Sequence, residues 1–119
     1  WTRVAVPAMQ KPLKVMIFSV NDVYLTENLP KFATLVDQTV EREKPDHYFV
    51  THQGDILSPA PLTNFDQGSN MADVMNEVGF THVCLGNHEF DLSLDDLKLR
   101  LNQMKHVGKI LSTNVIFPN

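Results

Sequence analysis

With 119 residues and 43% hydrophobic side chains, the chain is long enough for one compact domain with a modest core and too short for two. Ten basic against fourteen acidic side chains leave a net charge of −4, which gives no electrostatic case for binding nucleic acid or an anionic membrane surface. A single cysteine, Cys84, excludes an internal disulfide, and no apolar run approaches the length of a membrane-spanning helix.

Trp1 to Pro12 carries Pro7 and Pro12 among scattered polar residues, so residues 1–12 are expected to be an extended lead-in to a domain over 13–119. The lead-in lacks the apolar core of a secretion signal. Leu13 to Val20 is the first expected strand. Its run Val15-Met16-Ile17-Phe18 lies between Pro12 and Asn21-Asp22, a pattern that suits burial on both faces. Asp22 therefore falls at its carboxyl end. Leu29, Phe32, Ala33, Val36 and Val40 then recur at helical spacing, with Pro30 tolerated in the first turn and Pro45 marking the stop.

Tyr48-Phe49-Val50 is a second short strand, which the chain leaves through His52-Gln53-Gly54-Asp55, so that Asp55 repeats the position of Asp22. Ile56 to Gly68, with Pro59, Pro61, Asn64 and Gly68, reads as a long loop of the kind that lines a site. Met71, Val74, Met75 and Val78 mark a second helix, with Ser69 or Asn70 as its cap and Gly79 as its terminator. These are core positions, not a cofactor box.

The next stretch, Val83 to Asp91, organises the chain. Val83-Cys84-Leu85 suits a strand covered on both faces, with Cys84 a buried small hydrophobe rather than a reactive thiol. Gly86 removes the side chain where the backbone must turn or admit a close approach. Asn87 offers an amide oxygen and His88 an imidazole. Asp91 lies three residues on, where a tight turn returns its carboxylate to a His88 ring nitrogen and fixes the tautomer. Ser93-x-x-Asp96 resembles a capping box ahead of Leu94, Leu97, Leu101 and Met104, a third helix. Lys109-Ile110-Leu111 is a fourth strand, ending at Ser112-Thr113-Asn114.

Strand, helix, strand, helix, strand, helix, strand is an α/β order that calls for a mainly parallel sheet with flanking helices and right-handed crossovers. Ligands of such sheets bind beyond the carboxyl ends of the strands. Asp22, Asp55, Asn87 with His88, and Asn114 are expected to converge on that edge. Carboxylates and an amide oxygen around one point favour a hard cation such as magnesium or manganese, and added imidazoles favour zinc or iron. Two such ions would serve an in-line displacement at phosphorus, with His88 donating to the phosphoryl oxygen or to the leaving alkoxide.

The motifs Asn21-Asp22-Val23-Tyr24, Gln53-Gly54-Asp55, Gly86-Asn87-His88-Glu89-Phe90-Asp91 and, more weakly, Ser112-Thr113-Asn114 resemble those of the calcineurin-like metallophosphoesterases, and within them the 5′-nucleotidase branch. The resemblance implies the amino-terminal part of a metallophosphoesterase α/β sandwich with a dinuclear site. Asp22 would bind the first divalent ion, Asp55 bridge both, and Asn87 bind the second, with His88 and Asp91 as the catalytic pair. The implied substrate is a small phosphate ester, a nucleotide phosphomonoester or a cyclic nucleotide phosphodiester.

Glu89 has no metal role in that pattern and reads as a surface or turn carboxylate. Tyr24 stands where the family usually has histidine, and a neutral phenol is a poor ligand for a divalent ion. The family's later histidine ligands have no counterpart after Asn114, so the chain is expected to be weak or inactive alone. His47, His82 and His106 read as surface or satisfied structural residues. His52, three residues before Asp55, is a lesser candidate for reaching the site. The competing expectation is a non-catalytic metal- or partner-binding module whose exposed apolar sheet face or edge is covered by another copy or a second chain. In a third arrangement a second chain supplies the missing ligands.

Overall fold

The structure, a computed structural model, describes residues 11–116. Apart from Lys11 and Pro12, the expected lead-in lies outside the described residues. Four parallel strands, β1 (Val15–Val20), β2 (His47–His52), β3 (His82–Cys84) and β4 (Lys109–Leu111), form one sheet in the order β1-β2-β3-β4. Val15 lies opposite His47, Thr51 opposite His82, and His82 opposite Lys109. The connections carry α1 (Leu29–Glu43), the single turn α2 (Thr63–Asp66), α3 (Ser69–Val78) and α4 (Leu94–Gln103).

Each long helix starts and stops for a local reason. In α1, Pro30 sits in the first turn, where its missing N–H costs nothing. The helix ends as Lys44 turns left-handed, φ 45°, and donates its N–H to the Val40 carbonyl at 2.9 Å. Lys14 ties this end to the start of β1, through its Nζ to the Glu43 carboxylate at 2.6 Å and its N–H to Asp46 at 2.8 Å. At α3 the expected cap is corrected. Gly68 occupies the N-cap with φ 78°, and the Asp66 carboxylate accepts from the Gly68 and Asn70 N–H groups, both at 2.9 Å. Gly79, φ 83°, ends α3 as anticipated. Ser93 caps α4, its Oγ accepting from the Asp96 N–H at 3.1 Å.

The core lies between the sheet and the helices. Val50 and Val83 on the sheet meet Leu29 and Val36 of α1, Met71 and Met75 of α3 and Leu97 of α4, all buried. Fully covering side chains of this size stabilises by about 1.5–3 kcal/mol each. Ile56 to Gly68 is the expected long loop apart from the single turn α2, and it packs onto the core as well as bordering the site. Ile56, Leu57 and Ala60 are buried in the same core, and Thr63 donates to the Leu57 carbonyl at 2.6 Å.

The strands are not buried on both faces. A right-handed crossover that always steps in the same direction puts every helix on the same side of the sheet, and α1, α3 and α4 pack in a row there. The residues that point the other way, Val15 and Ile17 of β1, Phe49 of β2 and Leu111 of β4, are exposed, Ile17 at 68%. Cys84 shares that face and is half-buried, its thiol 3.4 Å from the Gln53 side-chain oxygen. His82 also lies there, with its ring edge against Phe49 at 5.6 Å.

Candidate active site at the carboxyl ends of the strands

The strand ends are joined by backbone before any side chain is counted. Gln53 donates its N–H to the Val20 carbonyl at 2.8 Å, and Asp22 donates to the Gly54 carbonyl at 3.2 Å. Asp22 (φ 54°) and Asp55 (φ 60°) both take the left-handed conformation, which Asp tolerates better than most residues. Gly86 is required where it stands, because a Cβ there would lie 2.7 Å from the Asp55 backbone nitrogen and collide with its carboxylate. The His88 N–H reaches back to Asp55 Oδ1 at 2.8 Å. Asp22, Asp55 and the Asn87-His88 turn are thus gathered at one rim.

The electrostatics follow from these contacts. The Asn21 amide donates to Asp22 Oδ2 and the Tyr24 hydroxyl to Oδ1 at 3.0 Å, and together they hold the Asp22 carboxyl below its usual range. Asp55 lies within hydrogen-bonding reach of the same carboxylate. Tyr24 is pushed up to about 12, first by burial and then by its bond to Asp22 and the nearby acidic charges. The phenol is therefore a neutral donor at physiological pH, and its ring meets that of His88 edge-on at 6.3 Å.

His88 and Asp91 form the expected pair, Nδ1 to Oδ2 at 2.8 Å, within a short 3-10 turn over His88–Asp91. The bond raises the His88 pKa and lowers that of Asp91. With Nδ1 engaged, Nε2 is the ring nitrogen left to act. Ser58, which nothing in the sequence singled out, donates its hydroxyl to Asp91 Oδ2 at 3.0 Å.

Other expectations are corrected. Glu89 is not a surface carboxylate: it is 1% exposed. Its Oε1 accepts from Ile56 at 2.6 Å and Leu57 at 3.0 Å, and its Oε2 from Gly86 at 2.7 Å and Asp55 at 2.8 Å. No periodicity or motif spacing signals this role, because its partners are backbone groups. His52 does not reach the rim. It is 1% exposed on the helix side, its Nδ1 accepts from the Gly54 N–H at 3.2 Å, and its ring lies edge-on to Phe80 at 5.4 Å. Asn114 sits exposed in a turn after β4. Asn87 is exposed at the rim.

Among the described residues no lysine or arginine pairs with Asp22 or Asp55, so two neighbouring carboxylates stand without a basic partner. That pair of carboxylates, with Asn87 on the adjoining turn, fits part of the oxygen shell of a hard divalent cation. It is not a closed site, for no group of three or more His, Cys, Asp or Glu among the described residues is arranged to hold a metal ion.

A parallel α/β sheet whose strand ends present Gly-Asp and Gly-Asn-His-Glu defines a class. Residues 16–117 match the calcineurin-like phosphoesterase family, and the chain belongs to that family of phosphoester hydrolases, which generally use divalent metals. In sequence it is 35% identical over 89 residues to a protein of Treponema pallidum (strain Nichols) designated a 5′-nucleotidase, an alignment covering 74% of this chain and 14% of the relative. In structure it matches a protein of Staphylococcus aureus designated a 5′-nucleotidase and solved with α-ketoglutarate. That match has a TM-score of 0.58 at 25% identity, over 76% of this chain and 21% of the other. The chain spans only a small part of either relative's length.

Proposed function

We propose that this chain is the amino-terminal part of a metallophosphoesterase domain, in a protein that hydrolyses nucleotide phosphomonoesters or cyclic nucleotide phosphodiesters. The observation that carries the reading is the His88-Asp91 pair beside two carboxylates that lack a basic partner, on the carboxyl edge of a parallel sheet. Asp22, Asp55 and Asn87 would donate to two divalent ions, manganese, magnesium, zinc or iron. Bound ions would supply charge to the phosphoryl oxygens and lower the pKa of the attacking water.

The chain's own part is more specific. Asp91 accepts from Nδ1–H of His88 and raises its pKa, favouring the imidazolium, the form in which Nε2 also carries a proton, and such a group can hydrogen-bond a phosphoryl oxygen or protonate a leaving alkoxide. Tyr24 keeps Asp22 oriented by its hydroxyl, and Ser58 does the same for Asp91. The chain alone is expected to be weakly active because Asp22, Asp55 and Asn87 would supply only part of the ligands of such a site.

The test is hydrolysis of adenosine monophosphate and of an aryl phosphate diester by the full-length polypeptide with added manganese. Replacing His88 by alanine is expected to lower kcat by roughly 10²–10⁴-fold. Turnover that ignores manganese, or that survives His88→Ala intact, contradicts the reading.

A second reading draws on the open sheet face. Val15, Ile17, Phe49 and Leu111 form an apolar surface of the kind that another chain or another copy covers, as a non-catalytic binding module would require. Sedimentation of the isolated chain as a monomer that binds no manganese and no partner would count against this second reading.

A further inference from the structure

Glu89 is the most heavily bonded side chain near the rim, and nothing in the family motif as read from the sequence gives it a task. We propose that Glu89 is the positioning residue of this site: its carboxylate locks the Asp55 turn to the Gly86-Asn87 turn, and so sets how the cation-facing oxygens of the two turns meet. The proposal rests on the phosphoesterase reading for what is positioned, but the lock is argued from geometry alone.

One carboxylate accepts four backbone N–H bonds from two separate stretches of chain, Asp55 to Leu57 and Gly86. Oε2 is shared between them, taking the Asp55 N–H at 2.8 Å and the Gly86 N–H at 2.7 Å. Both stretches border the rim. Asp55 is left-handed there, and the His88 N–H crosses to its Oδ1, so a displacement of one turn is transmitted to the other. Buried at 1% exposure, the carboxylate has no water to substitute for a lost donor. No Lys or Arg neutralises it among the described ion pairs, and the four N–H groups take that place.

The geometry also says which substitution reports the role. Each oxygen takes two of the four donors, so an isosteric Gln keeps one acceptor and turns its NH2 toward two N–H groups, whichever way it is placed. Asp keeps both oxygens and the charge but is shorter by one methylene, and so reaches one turn at the expense of the other.

The experiment compares the wild-type full-length polypeptide with its Glu89→Gln, Glu89→Asp and Asp55→Asn variants and the core control Met75→Ala, each studied well below its unfolding temperature. Amide hydrogen exchange is read at Asp55, Ile56, Leu57 and Gly86, and manganese affinity and line shape by electron paramagnetic resonance. Glu89→Gln is expected to lower protection at those four amides at least a hundredfold while the Val50 and Thr81 amides, bonded to each other's residues between β2 and the start of β3, stay protected, and to weaken manganese binding at least tenfold. Glu89→Asp is expected to fall between the two, and it decides the matter if Glu89→Gln does not fold. Met75→Ala is expected to lower stability and leave manganese affinity unchanged. Wild-type exchange at the four amides in the Glu89 variants, or manganese binding lost in Asp55→Asn yet intact in them, overturns the proposal. A wild-type polypeptide that binds no manganese refutes the metal reading separately, and the exchange data then judge the lock by themselves.

Discussion

Acid is expected to weaken this fold through His52, and the size of the effect follows from its surroundings. The ring is buried against Phe80, and the Gly54 N–H donates to Nδ1, so the neutral ring carries its proton on Nε2, which has no partner. Burial lowers its pKa from 6.5 to about 4, despite the opposing pull of Asp22 and Asp55. Above pH 6.5 folded and unfolded chains bind the same proton count at this site, and His52 contributes no pH dependence. Between 6.5 and about 4 the unfolded chain takes a proton that the folded one refuses, so stability falls with pH and levels off below that window. At 1.36 kcal/mol per unit the full loss is roughly 3 kcal/mol. The assay is urea unfolding at several pH values for the wild-type chain and His52→Leu. Leu leaves the Gly54 N–H without its acceptor, at about 1 kcal/mol at every pH, but removes the titration. The difference between the two proteins is therefore expected to change by roughly 3 kcal/mol between pH 7.5 and 4, in favour of Leu at the acid end. His88 titrates in the opposite sense, its raised pKa favouring the folded state at low pH, and it cancels in the comparison. Parallel pH profiles for the two proteins would refute the argument.

Two further outcomes can be checked directly. Gly86→Ala places a Cβ 2.7 Å from the Asp55 nitrogen and is expected to cost about 1–3 kcal/mol and to weaken manganese binding, measured by thermal melting and titration; an unchanged melting point would show that the two turns move apart freely. Ile17→Glu, on the open face at 68% exposure, is expected to alter stability by less than about 0.5 kcal/mol while lowering the sedimentation coefficient of any self-associated form, and an unaltered assembly state would remove that face from the contact.

Much of the architecture was legible because it depends on local pattern. Apolar runs ending at Asn21, Gln53 and Gly86 mark strands, and Leu29, Phe32 and Val36 mark a helix whatever the tertiary context. The His88-Asp91 pair was legible because a three-residue spacing in a tight turn leaves few alternatives. Coverage of the sheet was not, since a run such as Val15 to Phe18 looks the same whether one face or two are covered. Only the strand order decides that, through the side on which each crossover falls. Glu89 and Ser58 escaped for a different reason. Each acts on groups roughly thirty residues away in sequence, the first on backbone N–H groups that carry no side-chain identity. His52 was misplaced by one step of alternation: nearness to Asp55 in the chain suggested the rim, whereas the period of two along β2 turns its ring under the sheet.

The strand order has a consequence for how the chain assembles. Every strand pairs with the strand just before it, across roughly thirty residues each time, so each closure carries a similar and modest entropy cost. Nothing already formed must open to admit a later strand. The sheet can grow outward from β1 in the order of synthesis, and pulse-labelled hydrogen exchange during refolding is expected to protect β1 and β2 no later than β4. Earlier protection of β4 would show that assembly starts from the other end.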